Sequence, residues 1–317
     1  MAKWRVKIIL CASLLALILP LPAQTADFLS LRTNDVIVFV GGEDIAAMQN
    51  DGYLELLLTA AHPNLQLRFR CLAFEGDTVY EQRRQLNFPS WEKQLERVGA
   101  TVVIAQFGQA ESLQGTNTLP GFIAAYEALL DRWRKGDRRM VLFSPTRFEK
   151  PPGLLPDLTG RNADLRRYVE AIHQLARKLD VPFGDLSATI SSETKGALTR
   201  DGLHLNARGH WLAARVAARQ LDALPNRTSP PLDLTTGEIR PPAAEKLRQA
   251  ILAKNRLWFD YWRPQNWAFL AGDRTEQPSS RDHRDPKKRW FPDEMEKFLP
   301  LIEAKEREIA ELAVKLR

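Results

Sequence analysis

Asp201 and His204, in Arg-Asp-Gly-Leu-His, set a carboxylate three residues before an imidazole. A carboxylate beside an imidazole can accept its N–H, fix the ring's orientation and stabilise the imidazolium that forms when the ring takes a proton. Three other segments set glycine beside acids or amides: Gly41-Gly42-Glu43-Asp44, Glu75-Gly76-Asp77-Thr78 and Gly108-Gln109-Ala110-Glu111. Glycine at such places permits a sharp turn and lets a ligand approach the backbone. Taken singly, each residue has a structural reading. Glu43 suits the first turn of a helix, where free N–H groups and the dipole favour a carboxylate. Asp201-Gly202 is a common turn dipeptide. His210, six residues after His204, reads as facing sideways or outward on the next helix. Thr78 and Ser112 bring hydroxyls near the same segments.

Short apolar runs alternating with helical patterns must position these groups, and that alternation predicts a parallel sheet with crossover helices. The strand candidates are Val36 to Val40, Leu65 to Leu72, Thr101 to Phe107, Met140 to Ser144 and Val181 to Leu186. Helices are predicted over Tyr53 to Ala61, Trp91 to Val98, Phe122 to Trp133, Asp164 to Leu179 and Ala207 to Leu221. In an open parallel sheet, ligands bind beyond the carboxyl ends of the strands, where the glycine-bearing segments fall. After Leu224, prolines at 225, 230, 231, 241 and 242 predict a loop leaving the domain. A helix over Ala243 to Leu257, an aromatic cluster from Trp258 to Phe269, a mobile loop over Gly272 to Arg289 and a closing helix over Phe298 to Leu316 follow. The aromatic residues are read chiefly as packing this tail onto the domain.

The order and spacing of the four segments, across Asp35 to Leu221, resemble the SGNH, or GDSL-like, hydrolase family. That resemblance implies an α/β fold, a three-layer α/β/α flavodoxin-like sandwich on a five-stranded parallel sheet, here with a helical C-terminal extension. In that family a serine follows the first strand, a glycine the second and an asparagine the third, and an Asp-x-x-His pair closes the site. Asp201 and His204 match the pair, and Gly76 matches the glycine of the oxyanion site. Glu43 falls at the nucleophile position and Ala110 at the asparagine position. The extension, with Asn255 and Trp262-Arg263-Pro264-Gln265-Asn266, is similar to those of family members from polysaccharide-degrading bacteria.

The resemblance implies ester hydrolysis, with an acetylated or otherwise esterified carbohydrate as ligand and no cofactor or metal. The residues themselves imply impairment. Glu43 has no hydroxyl, and two like charges ~4 Å apart repel by about 4 kcal/mol at an effective dielectric near 20. Losing an oxyanion donor costs a further ~3 kcal/mol. The alternative is a non-catalytic carbohydrate-binding or scaffold protein that retains the pocket. A carboxylate nucleophile at Glu43, or a metal held by Glu43, Asp201 and His204, stays open as a minor reading.

Lys3, Arg5 and Lys7, the apolar run Ile8 to Leu21 and the small residues up to Ala26 read as a signal peptide. Residues 1–26 are therefore assigned to export, 30–224 to the α/β domain and 225–317 to the proline-rich linker and helical extension. The expected location is periplasmic or extracellular, with no membrane span after cleavage. Removing the three N-terminal cations lowers the formal net charge of +6 to +3, and the mixed signs that remain do not imply nucleic acid. Of the two cysteines only Cys71 lies beyond residue 26, which excludes an internal disulfide in the mature chain.

Overall fold

The computed structural model describes residues 29–187, 197–222 and 230–316. The expected signal peptide lies outside them. Five parallel strands form one sheet in the order β2-β1-β3-β4-β5: β1 (Val36–Gly41), β2 (Arg68–Cys71), β3 (Val102–Gln106), β4 (Arg139–Phe143) and β5 (Phe183–Gly184). That order is the flavodoxin-like one, whose reversal beside β1 opens a crevice at the strand ends.

The β1 run Val-Ile-Val-Phe-Val is buried throughout because both faces of the sheet are covered. Its side chains divide with period two. Ile37 and Phe39 enter one core, with helices α1 (Glu43–Asp51), α2 (Tyr53–Ala61) and α7 (Ala207–Asp222). Val36, Val38 and Val40 enter the other, with α3 (Trp91–Arg97), α5 (Leu119–Trp133) and α6 (Asn162–Leu179). A four-residue helix, α4 (Gln109–Ser112), follows β3. On α6 the stripe Leu165, Tyr168, Val169, Ile172, Leu175 and Ala176 is buried, as its periodicity predicts. Two strands are shorter than the apolar runs suggest. Gln66 has φ +51, so the chain becomes extended only near Arg68, and β5 keeps two residues after Pro182.

The extension comprises α8 (Pro242–Trp262), α9 (Trp290–Glu296) and α10 (Phe298–Val314). Its first helix crosses the exposed edge of β2 and serves both cores: Leu247 and Ile251 join the α2 side, Trp258 and Tyr261 the α3 side. Covering an edge strand removes a template for unwanted pairing. Trp258 Nε1 donates to the carbonyl of Cys71 at 2.8 Å. Lys254, 1% exposed, donates to Glu55 Oε2 at 2.8 Å and to the Phe69 carbonyl at 3.3 Å.

Two loop expectations are corrected. The described part of the proline-rich segment, residues 230–241, does not leave the domain: Leu232 bridges Ile239, and Tyr53 donates its hydroxyl to the Gly237 carbonyl at 2.6 Å. The 272–289 segment is held by an Arg281–Arg289 bridge and by Ser280, which is 1% exposed.

Breaking the buried pair from one side strands the other charge. Lys254→Met is expected to cost about 3–5 kcal/mol in denaturant unfolding. The double variant Glu55→Leu/Lys254→Met should recover most of that loss. An equal loss in the double variant would show that packing, not charge, holds α8.

Candidate active site

Chain geometry at the end of β1 sets the first part of the site. Gly41 has φ +145, and a Cβ there would lie 2.1 Å from the Gln106 carbonyl oxygen. Only glycine lets β1 and β3 close up at this point. Gly42 donates to the same carbonyl at 3.3 Å, and α1 begins at the next residue. Glu43 is thus the first residue of a helix whose initial N–H groups have no intrahelical acceptor.

The acidic–imidazole pair lies on a tight loop before α7. Asp201 Oδ1 accepts the backbone N–H of Leu203 at 3.1 Å and of His204 at 2.8 Å, while Oδ2 meets His204 Nδ1 at 2.6 Å. One side chain therefore builds the turn and orients the ring. Burial would raise the Asp201 pKa, but the His204 N–H, the imidazole and the Leu203 N–H together hold it down to about 2. Gly202, at φ +88, packs where a Cβ would be 2.7 Å from the Glu149 carbonyl oxygen. Glu149 anchors the loop from outside: its Oε2 accepts from Leu198 N, Thr199 N and Thr199 Oγ1, each at 2.8 Å.

The two parts converge. Glu43 Oε1 lies 3.6 Å from His204 Nε2, on the ring edge opposite Asp201. That separation is a charge contact, longer than a hydrogen bond. The imidazole thus stands between two carboxylates, and Glu43 occupies the side from which a hydroxyl nucleophile would be deprotonated.

Gly76 and Ala110, by contrast, are exposed, and no hydrogen bond among the described residues joins either to these three side chains. Gly76 is linked indirectly: a Cβ on Gly42 would lie 3.0 Å from the carbonyl oxygen of Asp77. Asp77 is clamped by both terminal nitrogens of Arg84 at 2.7 Å, and that guanidinium lies 3.8 Å over Phe74. The Ala110 side chain offers no hydrogen-bond donor. Its neighbour Glu111, 2% exposed, accepts Gly108 N at 2.9 Å and Val79 N at 2.8 Å, so it ties the two loops together. The Ser112 hydroxyl donates to the Gln109 carbonyl at 2.7 Å, and Thr78 Oγ1 accepts from Glu81 N at 3.2 Å. Both hydroxyls serve the local backbone.

Sequence reasoning named Glu43 and His204 but missed the groups that share their cavity. Glu43, Asp44, His204, His210, Asp51 and Asn206 line a cavity of about 240 Å³. His210 is not outward: it is 7% exposed, with Nε2 3.9 Å from Asp51 Oδ2 and Nδ1 unpartnered. Burial lowers its pKa, opposed by Asp51 and assisted by Arg200. Asp44, also 7% exposed, accepts from Thr146 Oγ1 at 2.6 Å and Thr146 N at 3.2 Å. Its helical position beside Glu43 was the available signal, but a helix's rotation against the sheet is set by packing. Among the described residues, no three His, Cys, Asp or Glu side chains are placed to hold a metal ion. No described helix is long and apolar enough to cross a membrane.

The five-stranded parallel sheet and its helices form an α/β fold of the SGNH type. The sequence model of the GDSL-like lipase/acylhydrolase family matches residues 46–212, just over half of the 317-residue chain, and the chain belongs to that family. The match begins three residues after Glu43. Comparison with curated proteins finds no match. Among solved structures, a gut microbial diltiazem-metabolizing enzyme is 12% identical with a TM-score of 0.60, covering 92% of this chain and 96% of its own. That likeness of fold takes in the extension. A point mutant of Axe2, an acetyl-xylooligosaccharide esterase from Geobacillus stearothermophilus, is 16% identical with a TM-score of 0.50, covering 62% of this chain and 99% of its own.

Burial raises the Asp44 pKa from 3.8 to about 6, against the two Thr146 bonds and with added repulsion from Glu43. A raised carboxyl pKa favours folding while the group is protonated. Its contribution is complete below the unfolded value and is lost as pH rises through the folded one. The wild-type unfolding free energy should therefore fall, relative to Asp44→Asn, by about 2 kcal/mol as pH rises from ~4 to ~6. Parallel profiles for the two proteins would show that Asp44 ionises normally.

Proposed function

We propose that this chain is an exported SGNH-type protein that engages an esterified carbohydrate, with ordinary serine-ester hydrolysis impaired by Glu43. One observation carries the reading: the Nε2 edge of His204, oriented by Asp201, meets a carboxylate at 3.6 Å instead of a hydroxyl. In the serine mechanism that edge removes a proton from the attacking oxygen, and N–H donors hold the oxyanion that follows. Asp201 and His204 retain the base and its orienting partner. Gly76 keeps a backbone N–H with no acceptor among the described residues. Glu43 supplies no hydroxyl and places negative charge where negative charge would develop, and Ala110 withholds the side-chain donor. Either change slows acyl transfer by about a hundredfold or more.

The esterified-carbohydrate class is supported by the acetyl-xylooligosaccharide esterase of the same fold. Export is supported by the charged, apolar and small-residue order of residues 1–26; N-terminal sequencing of secreted protein should start near Asp27. A second reading, ligand recognition without turnover, is favoured by the cavity itself. Asn50, Asp51, Asn206 and His210 offer it several polar groups suited to sugar hydroxyls.

Acetylated xylo-oligosaccharides and aryl acetates test both readings. Wild-type turnover is expected to be undetectable and indifferent to His204→Ala. Glu43→Ser combined with Ala110→Asn is expected to gain turnover of at least about a hundredfold over wild type, and to lose it on adding His204→Ala. Wild-type turnover that vanishes in His204→Ala would overturn the impaired reading.

A further inference from the structure

A second cavity, of about 570 Å³, lies under the extension where α8 and α9 meet β2 and α3. It shares no lining residue with the cavity at His204. Its volume is that of a small-molecule site. Trp258, Trp262 and Trp267 line it together with Met295 and Ile302. Arg68, Arg70, Arg97 and Arg289 also line it, against only two carboxylates, Glu296 and Glu303.

The charges do not cancel locally. Arg97 is shared between the Tyr261 hydroxyl and Glu296, the latter at 3.2 Å. Arg70 is held by Glu306 at 2.5 Å and lies 5.0 Å over the Trp258 ring. Arg68 has no carboxylate partner among the described residues. Arg289 donates through one terminal nitrogen to the carbonyls of Phe269 and Leu270, while its Nε is buried with no acceptor. An exposed Arg68 without a carboxylate partner and a surplus of guanidinium groups favour an anion, which a planar guanidinium binds through two parallel N–H bonds. Indole faces favour a ring, aromatic or sugar, stacked beside that anion.

We propose that this cavity is a binding site for a small ring-bearing anion, either an aryl carboxylate or an acidic sugar such as a uronate. Arg68 and Arg289 take the anionic group, and the tryptophans take the ring. The site stands independently of the chemistry at His204 and supplies the chain with a ligand contact that ester hydrolysis does not require.

Tryptophan fluorescence and calorimetry on the full mature chain test it, with 2-naphthoate and trigalacturonate as probes and 2-naphthalenemethanol and xylotriose as their neutral counterparts. At least one anion is expected to bind about tenfold tighter than its neutral counterpart, with affinity falling as salt rises. Which anion binds distinguishes aryl from sugar ligands. Arg68→Gln, on an exposed side chain, is expected to weaken binding by about tenfold, and His204→Ala to leave it unchanged. Arg289→Gln should act likewise, compared only at unchanged melting temperature because Arg289 also bonds the backbone. Failure of both anions to bind, equal binding of the neutral probes, or wild-type affinity in Arg68→Gln would overturn the proposal. So would binding that is lost in His204→Ala, which would move the anion to the other cavity.

Discussion

An imidazole held between two carboxylates is the interaction on which the site depends. Asp201 fixes one edge of His204 by a 2.6 Å bond and simultaneously closes the turn that carries it. Glu43 reaches the other edge only because β1 ends in Gly41, where any side chain would collide with β3. The same geometry that would present a serine to a histidine therefore presents a carboxylate. The fold orients His204 through Asp201 and sets the Glu43 carboxylate against its other edge.

Support for this arrangement comes from carboxylates outside it. Glu149 gathers three donors from the segment before Asp201, and Glu111 joins the loops after β2 and β3. Buried acids satisfied by backbone N–H groups fix loops firmly, since releasing one would leave an unpaired charge. The extension completes the scaffold. Arg263 pairs with Glu75 at 3.0 Å, its guanidinium lies 3.9 Å over Phe74, and Trp262 packs on the same ring. The loop carrying Gly76 is thus braced by residues nearly two hundred positions later in the chain.

Much of this was legible in the sequence. Unbroken apolar runs marked the central strands because those strands are buried on both faces, and the 3.6-residue stripe of α6 marked its inward side. The grouping of Glu43 with Asp201 and His204 was implied by the resemblance of the segments' order and spacing to the SGNH family. What stayed hidden was rotational and long-range. His210 and Asp44 turn inward by the packing of α7 and α1, which periodicity alone does not orient against a cavity. Glu111 and Glu149 bond backbone groups of distant segments, and no side-chain spacing announces such partners. The prolines after Leu224 signalled irregular chain correctly, but not that Gly237 and Ile239 would be drawn back onto α2.

We propose that residue 43 occupies the nucleophile position and that no other hydroxyl replaces it. Mass spectrometry after treatment with a fluorophosphonate, which labels activated serine hydroxyls, tests this most directly. Wild-type protein is expected to stay unlabelled, and the Glu43→Ser protein to carry one adduct at position 43 that His204→Ala removes. A wild-type adduct on any serine or threonine that depends on His204 would contradict it.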